Sequence, residues 1–254
     1  MTSALQPGAT VLAIGATGSI GRHVVPALLA EGLAVRAFVR DESRARRILP
    51  DGVELAGGDI ETGAGLDAAL DGVDGIVLTH GGAPRQVDYQ GVVNVLDALA
   101  GRRPRIALMT SMSTSKGGSQ YGGVLDWKRR SERLIRAYGA PYTIVRPGWF
   151  DYQAAGERAL LVEQGDVSPV DSRRGVARSQ IAAVLVHALL SEAGAGVTLE
   201  LFAQAGEMPT DWDGVFAPLQ RDDAVALGGA QDAGVALADE PAEVLADIAG
   251  FRGA

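Results

Sequence analysis

The chain has 254 residues, 47% hydrophobic and 21% charged, enough apolar material for a sizeable core in one α/β domain. Its net charge of -8 argues against a nucleic-acid-binding surface. It has no cysteine, and its three histidines, His23, His80 and His187, lie far apart in sequence; disulfides and thiolate catalysis are excluded, and no metal centre is expected.

Apolar runs and helical patterns alternate from the start, which predicts a doubly wound α/β fold with a mostly parallel sheet. Strands are expected near residues 10–14, 34–39, 53–56, 74–78, 105–110, 142–146 and 197–202. Helices are expected near 19–31, 42–48, 65–70, 86–100, 123–138 and 178–191, with Gly32 and Gly139 placed as C-terminal caps.

The first strand–helix unit carries the most chemistry. Val11 to Ile14 is a short apolar, partly β-branched run, suited to a strand covered on both faces. Gly15, Gly18 and Gly21 follow at every third position, with Thr17, Ser19 and Ile20 among them. Gly15 permits a sharp turn, and Gly18 lets the backbone approach a diphosphate. Gly21, lacking a Cβ, lets the next helix lie against the strand. Ile20, Val24, Ala27 and Leu28 continue a helical pattern, so free N–H groups at the helix start would face the phosphates. A dinucleotide site is expected here; the alternative is an ordinary strand–helix turn.

The second strand ends at Arg40. A carboxylate at this place suits NAD, whereas an arginine pairs with a 2′-phosphate, so NADP(H) is expected in preference to NAD(H). Asp41 follows directly and offers the ribose role instead. Ser43 and Arg44 add donors at the helix start, while Arg44, Arg46 and Arg47 together read as a solvated helix face. The fourth strand ends in Thr79-His80-Gly81-Gly82, whose glycines suit close passage of the backbone under ribose and diphosphate. His80 is either a proton carrier near neutral pH or a structural histidine. Asn94 lies mid-helix among Val92, Val93, Val95 and Leu96, where a polar side chain needs a partner.

After Gly148 the alternation breaks down. Residues 149–175 and 203–254, rich in Gly, Asp and Ala, are expected to form a small substrate lobe within a single domain spanning 1–254, over the strand ends where such sheets bind ligands. Trp149, Phe150, Tyr152, Trp212 and Phe216 all fall at or beyond that point. They suit a flat, partly apolar substrate, or else the core of the lobe itself. Glu240 to Phe251 reads as a short amphipathic helix packed on the main domain.

The glycine spacing is G-x-x-G-x-x-G, and Gly15-Ala-Thr-Gly-Ser-Ile-Gly21 resembles the short-chain dehydrogenase/reductase superfamily, most of all its atypical, NmrA-like and NAD(P)H-binding branch. The resemblance covers about residues 8 to 202. It runs through Val39-Arg40-Asp41, Gly58-Asp59-Ile60, Asp88-Tyr89-Gln-Gly-Val-Val-Asn94, Lys128 to Glu132, and Tyr142-Thr-Ile-Val-Arg-Pro-Gly148. It implies a Rossmann-type fold in which Asp59 and Ile60 lie beside the adenine and Asn94 braces the strand ends. Pro147 and Gly148 would border the nicotinamide amide, with Trp149 walling the substrate cleft and Tyr152 among the aromatics near it. Ser111, and after it Ser113, are the candidates to hold a substrate carbonyl or hydroxyl. The family's Tyr-x-x-x-Lys pair supplies a tyrosine acid and a lysine that lowers its pKa and binds the nicotinamide ribose.

Lys128 matches that lysine, but Val124 stands where the tyrosine belongs. Tyr121 lies seven residues before Lys128 and reaches the same helix face only if the helix starts early, which Gly122-Gly123 opposes; otherwise it reaches in from a loop. Asp126 is two residues from Lys128 and so on another face. The expected catalytic set is Ser111 and Lys128 with Tyr121. The resemblance implies an NADP(H)-dependent oxidoreductase of a small, aromatic or polyketide-like carbonyl compound. The alternatives are a non-catalytic NADP-binding sensor, and a cofactor-dependent epimerase or dehydratase with no net redox change. No apolar run approaches about 18 residues, and Met1 to Thr10 is too short and polar for a signal peptide. A cytoplasmic protein is therefore expected, as a monomer or homodimer.

Overall fold

Period-two alternation builds the sheet. In the computed structural model, which describes residues 4–117, 123–169, 171 and 173–252, strand β1 (Thr10–Ile14) buries Val11 and Ala13 on one face and Leu12 and Ile14 on the other. The chain continues through α1 (Gly21–Ala30), β2 (Ala34–Val39), α2 (Glu42–Ile48), β3 (Glu54–Gly57), α3 (Leu66–Leu70) and β4 (Gly75–Leu78). A π-helical turn (Pro84–Gln90) leads into α4 (Gly91–Leu99), followed by β5 (Arg105–Met109), α5 (Val124–Tyr138) and β6 (Tyr142–Pro147). The short strands β7 (Trp149–Phe150), β8 (Ala159–Glu163) and β9 (Gly175–Val176) precede α6 (Arg178–Leu190) and β10 (Val197–Gln204). Helices α7 (Trp212–Phe216) and α8 (Ala242–Arg252) complete the chain.

The main sheet has the order β3-β2-β1-β4-β5-β6-β10-β8, parallel from β3 to β10, with β8 antiparallel on the edge. Helices α1, α2 and α6 cover the face that carries Val11 and Ala13, and α3, α4, α5 and α8 cover the other. Strand order reverses between β1 and β4. Their flanking helices diverge there and open a crevice at the carboxyl ends of the strands.

Strands β7, β8 and β9 and helix α7 lie outside the expected elements, and one expected helix is altered. The helix expected over 86–100 begins as the wide π turn and becomes α-helical only at Gly91. The turn brings Asp88 and Tyr89 inward, both buried, and a Cβ on Gly91 would stand 3.0 Å from Ile60 Cδ1. Strand β8 was not expected, because Ala-Leu-Leu-Val-Glu carries no local strand signal. The free edge of β10 supplies it, pairing Glu200 with Glu163 through Gln204 with Ala159. Trp212 stacks on His187 at 3.9 Å between ring centroids, and Phe216 is fully buried in the core, so these two aromatics serve packing rather than a substrate. Helix α8 buries Val244, Ile248 and Phe251 among the residues that pack around α5.

The interior around α5 is held by charge. Arg146 on β6 is buried and donates to Glu132 through Nε (3.0 Å) and Nη2 (2.6 Å), to Glu200 (3.1 Å) and to Asp232 (2.9 Å). Glu132 also accepts from Thr110 Oγ1 at 2.7 Å and from Arg136 Nη2 at 3.2 Å. Burial alone would push the Glu132 carboxyl up, but Arg146 and Arg136 hold it down at about 2. Removing one partner of such a cluster leaves a buried charge uncompensated. Glu132→Gln should cost about 3 kcal/mol at pH 7, read from the shift in denaturant midpoint. Because the carboxyl is held below its ordinary value of 4.5, this contribution is complete above that pH and fades as the pH falls toward 2. Variant and wild type should therefore converge in acid.

Candidate functional site

The carboxyl ends of β1, β2, β3, β4 and β5 meet at one cleft of about 750 Å³. Gly15, Thr17, Gly18, Ser19 and Ile20 form its floor, Arg40 its rim, Asp59 and Ile60 one end, and Thr79, His80 and Gly81 its middle. Ser111 and Lys128 close the other end. The glycines divide their work as their spacing suggests. Gly15 has a φ of 86°, and a Cβ there would lie 2.7 Å from the carbonyl carbon of Thr79. A Cβ on Gly21 would fall 2.1 Å from the Gly15 oxygen, so Gly21 lets α1 close on the turn and does not line the cleft. A Cβ on Gly18 would meet only the Gly15 oxygen, at 3.1 Å, leaving that part of the backbone bare toward the cleft.

Arg40 is exposed at the rim and has no partner among the described residues. Asp41 caps α2 instead, accepting from the Arg44 N–H at 2.9 Å. Ser43 lies on α2 outside the cleft lining. Asp59 lines the cleft while its Oδ1 accepts from the Glu61 N–H at 2.9 Å. Asn94 finds the partners its mid-helix position demands, donating to the carbonyls of Ile60 (2.8 Å) and Glu61 (3.0 Å).

A second cavity of about 580 Å³ adjoins the first and shares Ser111, Lys128 and Phe150 with it. Pro147 and Gly148 line this cavity rather than the cleft, together with Ser113, Trp149 and Tyr152. The rings of Trp149 and Tyr152 lie 5.9 Å apart, and the Arg178 guanidinium sits 5.4 Å over Phe150 while pairing with Asp151. Val124 also lines it, one helical turn from Lys128, so the position of the missing tyrosine is an apolar patch of wall. Tyr121 lies outside the described residues.

At the junction, Lys128 Nζ lies 3.2 Å from Asp88 Oδ2. Asp88 is buried on the π turn and its Oδ1 has no partner among the described residues. Burial raises the Asp88 carboxyl above its ordinary value, against the opposing pull of Lys128. His80 is buried beside them with Nδ1 unpartnered, and burial, aided by the Lys128 charge, drives its pKa down to about 4. It is therefore neutral at physiological pH, and the proton-carrier role near neutrality does not fit. Sequence reasoning gave Asp88 no role. A carboxylate beside the apolar run of Val92 to Leu96 was the available signal, since a buried carboxylate needs a cation. Phe150, one of the aromatics expected near a flat substrate, does line the cavity, whereas Arg178 joins it without any local pattern to announce it.

The family model described as NAD(P)H-binding matches residues 15–192. The chain is 31% identical over 190 residues to an NAD(P)H azoreductase of Xenophilus azovorans, covering 70% of this chain and 63% of that protein. It is 27% identical over 264 residues to the sanguinarine reductase of Eschscholzia californica, covering 82% of this chain and 95% of that protein. Among solved structures, a Bacillus halodurans protein provisionally described as an NAD-dependent epimerase/dehydratase superposes with a TM-score of 0.70 at 22% identity. It covers 84% of this chain and 100% of that one, a likeness in fold. Among the described residues, no helix is long and apolar enough to cross a membrane. The family match begins at the first glycine of the turn, directly after β1, and runs through the ends of β2, β3, β4 and β5 that form the rest of the cleft, and on it this chain belongs to the NAD(P)H-binding family of Rossmann-fold proteins.

Proposed function

We propose that the chain is an NADPH-dependent reductase of a small, flat carbonyl compound. The observation that carries this reading is the junction at Ser111 and Lys128, where a dinucleotide-sized cleft opens into an aromatic-walled cavity. The cleft suits NADP(H) in its donors. Gly18 and the first turn of α1 present bare backbone to a diphosphate. Arg40 is free for a 2′-phosphate, while Asp41, the competing ribose ligand, is occupied as a helix cap. Asp59 and Ile60 would flank the adenine, and Lys128 would meet the nicotinamide ribose.

Bound there, the cofactor supplies a hydride. The chain's own residues handle the oxygen of the carbonyl that accepts it. Ser111 donates a hydrogen bond to that oxygen. The Lys128 ammonium balances the negative charge that develops on it and delivers the proton that completes the alcohol. Val124 brings no acidic proton, so this work falls to Lys128. Asp88 acts through Lys128: buried and fixed on the π turn, it holds the ammonium at the junction. Trp149, Phe150 and Tyr152 give a flat substrate its stacking surface. The reductase names of two relatives support the reductive direction.

A second reading, a non-catalytic NADP-binding sensor, draws on Val124. Tight NADPH binding with no turnover across a panel of aromatic ketones and quinones would decide for it.

Arg40→Asp should weaken NADPH binding by about tenfold or more while leaving NADH affinity the same or better, measured by calorimetry; equal losses for both cofactors would remove the 2′-phosphate assignment. Lys128→Ala should lower kcat by about a hundredfold in an NADPH-consumption assay. Asp88→Asn should lower kcat by about tenfold with the NADPH dissociation constant within about twofold of wild type, a split that marks a positioning residue.

A further inference from the structure

The second cavity presents one sign of charge. Lys128 and Arg178 are the charged residues of its lining, and among the described residues no carboxylate joins them there. Their counter-charges, Asp88 and Asp151, stand behind them and line neither the cavity nor the cleft. The chain carries a net charge of -8, so a wall that offers only cations runs against its average.

Lys128 serves the junction with the cleft. Arg178 does not, and its place in the fold is unfavourable. It is the first residue of α6, where the helix dipole disfavours a cation. Asp151 offsets this, accepting from the Arg178 N–H at 3.1 Å through Oδ1 and pairing with Nη1 through Oδ2. It does so from a φ of 60°, a left-handed conformation that side chains rarely adopt. A neutral residue at the start of α6 would have no need of that ion pair.

The guanidinium lies 5.4 Å over the ring of Phe150, which lines both the cavity and the cleft. Its Nε is buried, yet the side chain keeps 32% of its surface exposed. Nη2 has no partner among the described residues and is the edge left open. A guanidinium held on one side by a ring and on another by a carboxylate is preorganised, and its open edge fits a planar anion.

We propose that Arg178 is a specificity-determining residue for an anionic group on the substrate, which makes the substrate class an aromatic carbonyl compound that carries a carboxylate. The proposal rests on reading the second cavity as the substrate site. Lys128 borders the cleft as well as the cavity and serves the carbonyl that is reduced. Arg178 lines the second cavity alone, so it addresses a group set apart from that carbonyl. The rings of Trp149, Phe150 and Tyr152 take the aromatic system that joins the two.

Two ligands of matched shape test this: fluorenone-2-carboxylate, an anion, and fluorenone-2-carboxamide, its neutral counterpart. Their dissociation constants are measured by calorimetry on protein saturated with NADP⁺, so that no turnover intervenes. Wild type should bind the carboxylate about tenfold more tightly than the carboxamide. Arg178→Gln should lose about fivefold of that preference, with carboxamide affinity unchanged, which also reports a folded variant. Arg178→Lys should keep part of the preference, since the charge remains while the planar fork is lost. An Arg178→Gln protein that keeps the full preference, or a wild type that binds both ligands equally, overturns the role of Arg178 and leaves the cavity reading standing. A wild type that binds neither ligand overturns the cavity reading, and this proposal with it.

Discussion

The geometry of the site depends on the ion pair between Arg146 and Glu132. Glu132 lies one helical turn beyond Lys128 on α5 and accepts from Thr110, the residue before Ser111. Arg146 is the residue before Pro147, whose strand end borders the second cavity. One buried pair thus ties together the helix and the two strand ends that bring Lys128, Ser111 and Pro147 to a common point. Pairs of this kind contribute little net stability, because desolvation offsets much of their attraction. What they add is direction. An apolar contact tolerates sliding, whereas a guanidinium bonded to one carboxylate through two nitrogens tolerates very little.

The same principle explains why so polar a helix is buried. Lys128-Arg-Arg-Ser-Glu-Arg133 is charged at five of six positions, yet Arg129, Glu132 and Arg133 are all buried. The later part of the chain supplies counter-charges for the arginines of this helix. Glu240 accepts from Arg129 (2.9 Å), Arg130 (2.8 Å) and Arg133 (2.6 Å), and Asp222 accepts from Arg136 (2.9 Å). Residues 222–240 hold little regular structure and bind α5 through charge, while α8 behind them packs through Val244, Ile248 and Phe251.

This marks the boundary of what the sequence discloses. The strands, the glycine turn and the need of Asn94 for a partner were legible because their causes lie within a few residues of chain or in the side-chain period. The burial of α5 was not, since Arg146 meets Asp232 and Arg129 meets Glu240 across separations of 86 and 111 residues. Strand β8 depended on an edge provided by β10, and the fates of Trp212 and Phe216 depended on α6 and the core. The pairing of Asp88 with Lys128 needed a π turn, which no periodicity announces. The residues most exposed to long-range choice are the ones nearest the chemistry.

That junction is electrically economical. Lys128 brings one positive charge, Asp88 one negative, and His80 stays neutral because burial and the nearby ammonium both disfavour its proton. The ammonium is paired within the protein itself, which limits the cost of keeping a cation at a half-dry boundary. Asp88 in turn depends on that ammonium, since a buried carboxylate with one oxygen unpartnered has no other cation beside it among the described residues. On the proposed reading, a carbonyl oxygen that gains negative charge would share the ammonium with Asp88, whose hold keeps the cation in place as the charge develops. The contribution of Asp88 would then be to position the ammonium rather than to touch the reacting oxygen.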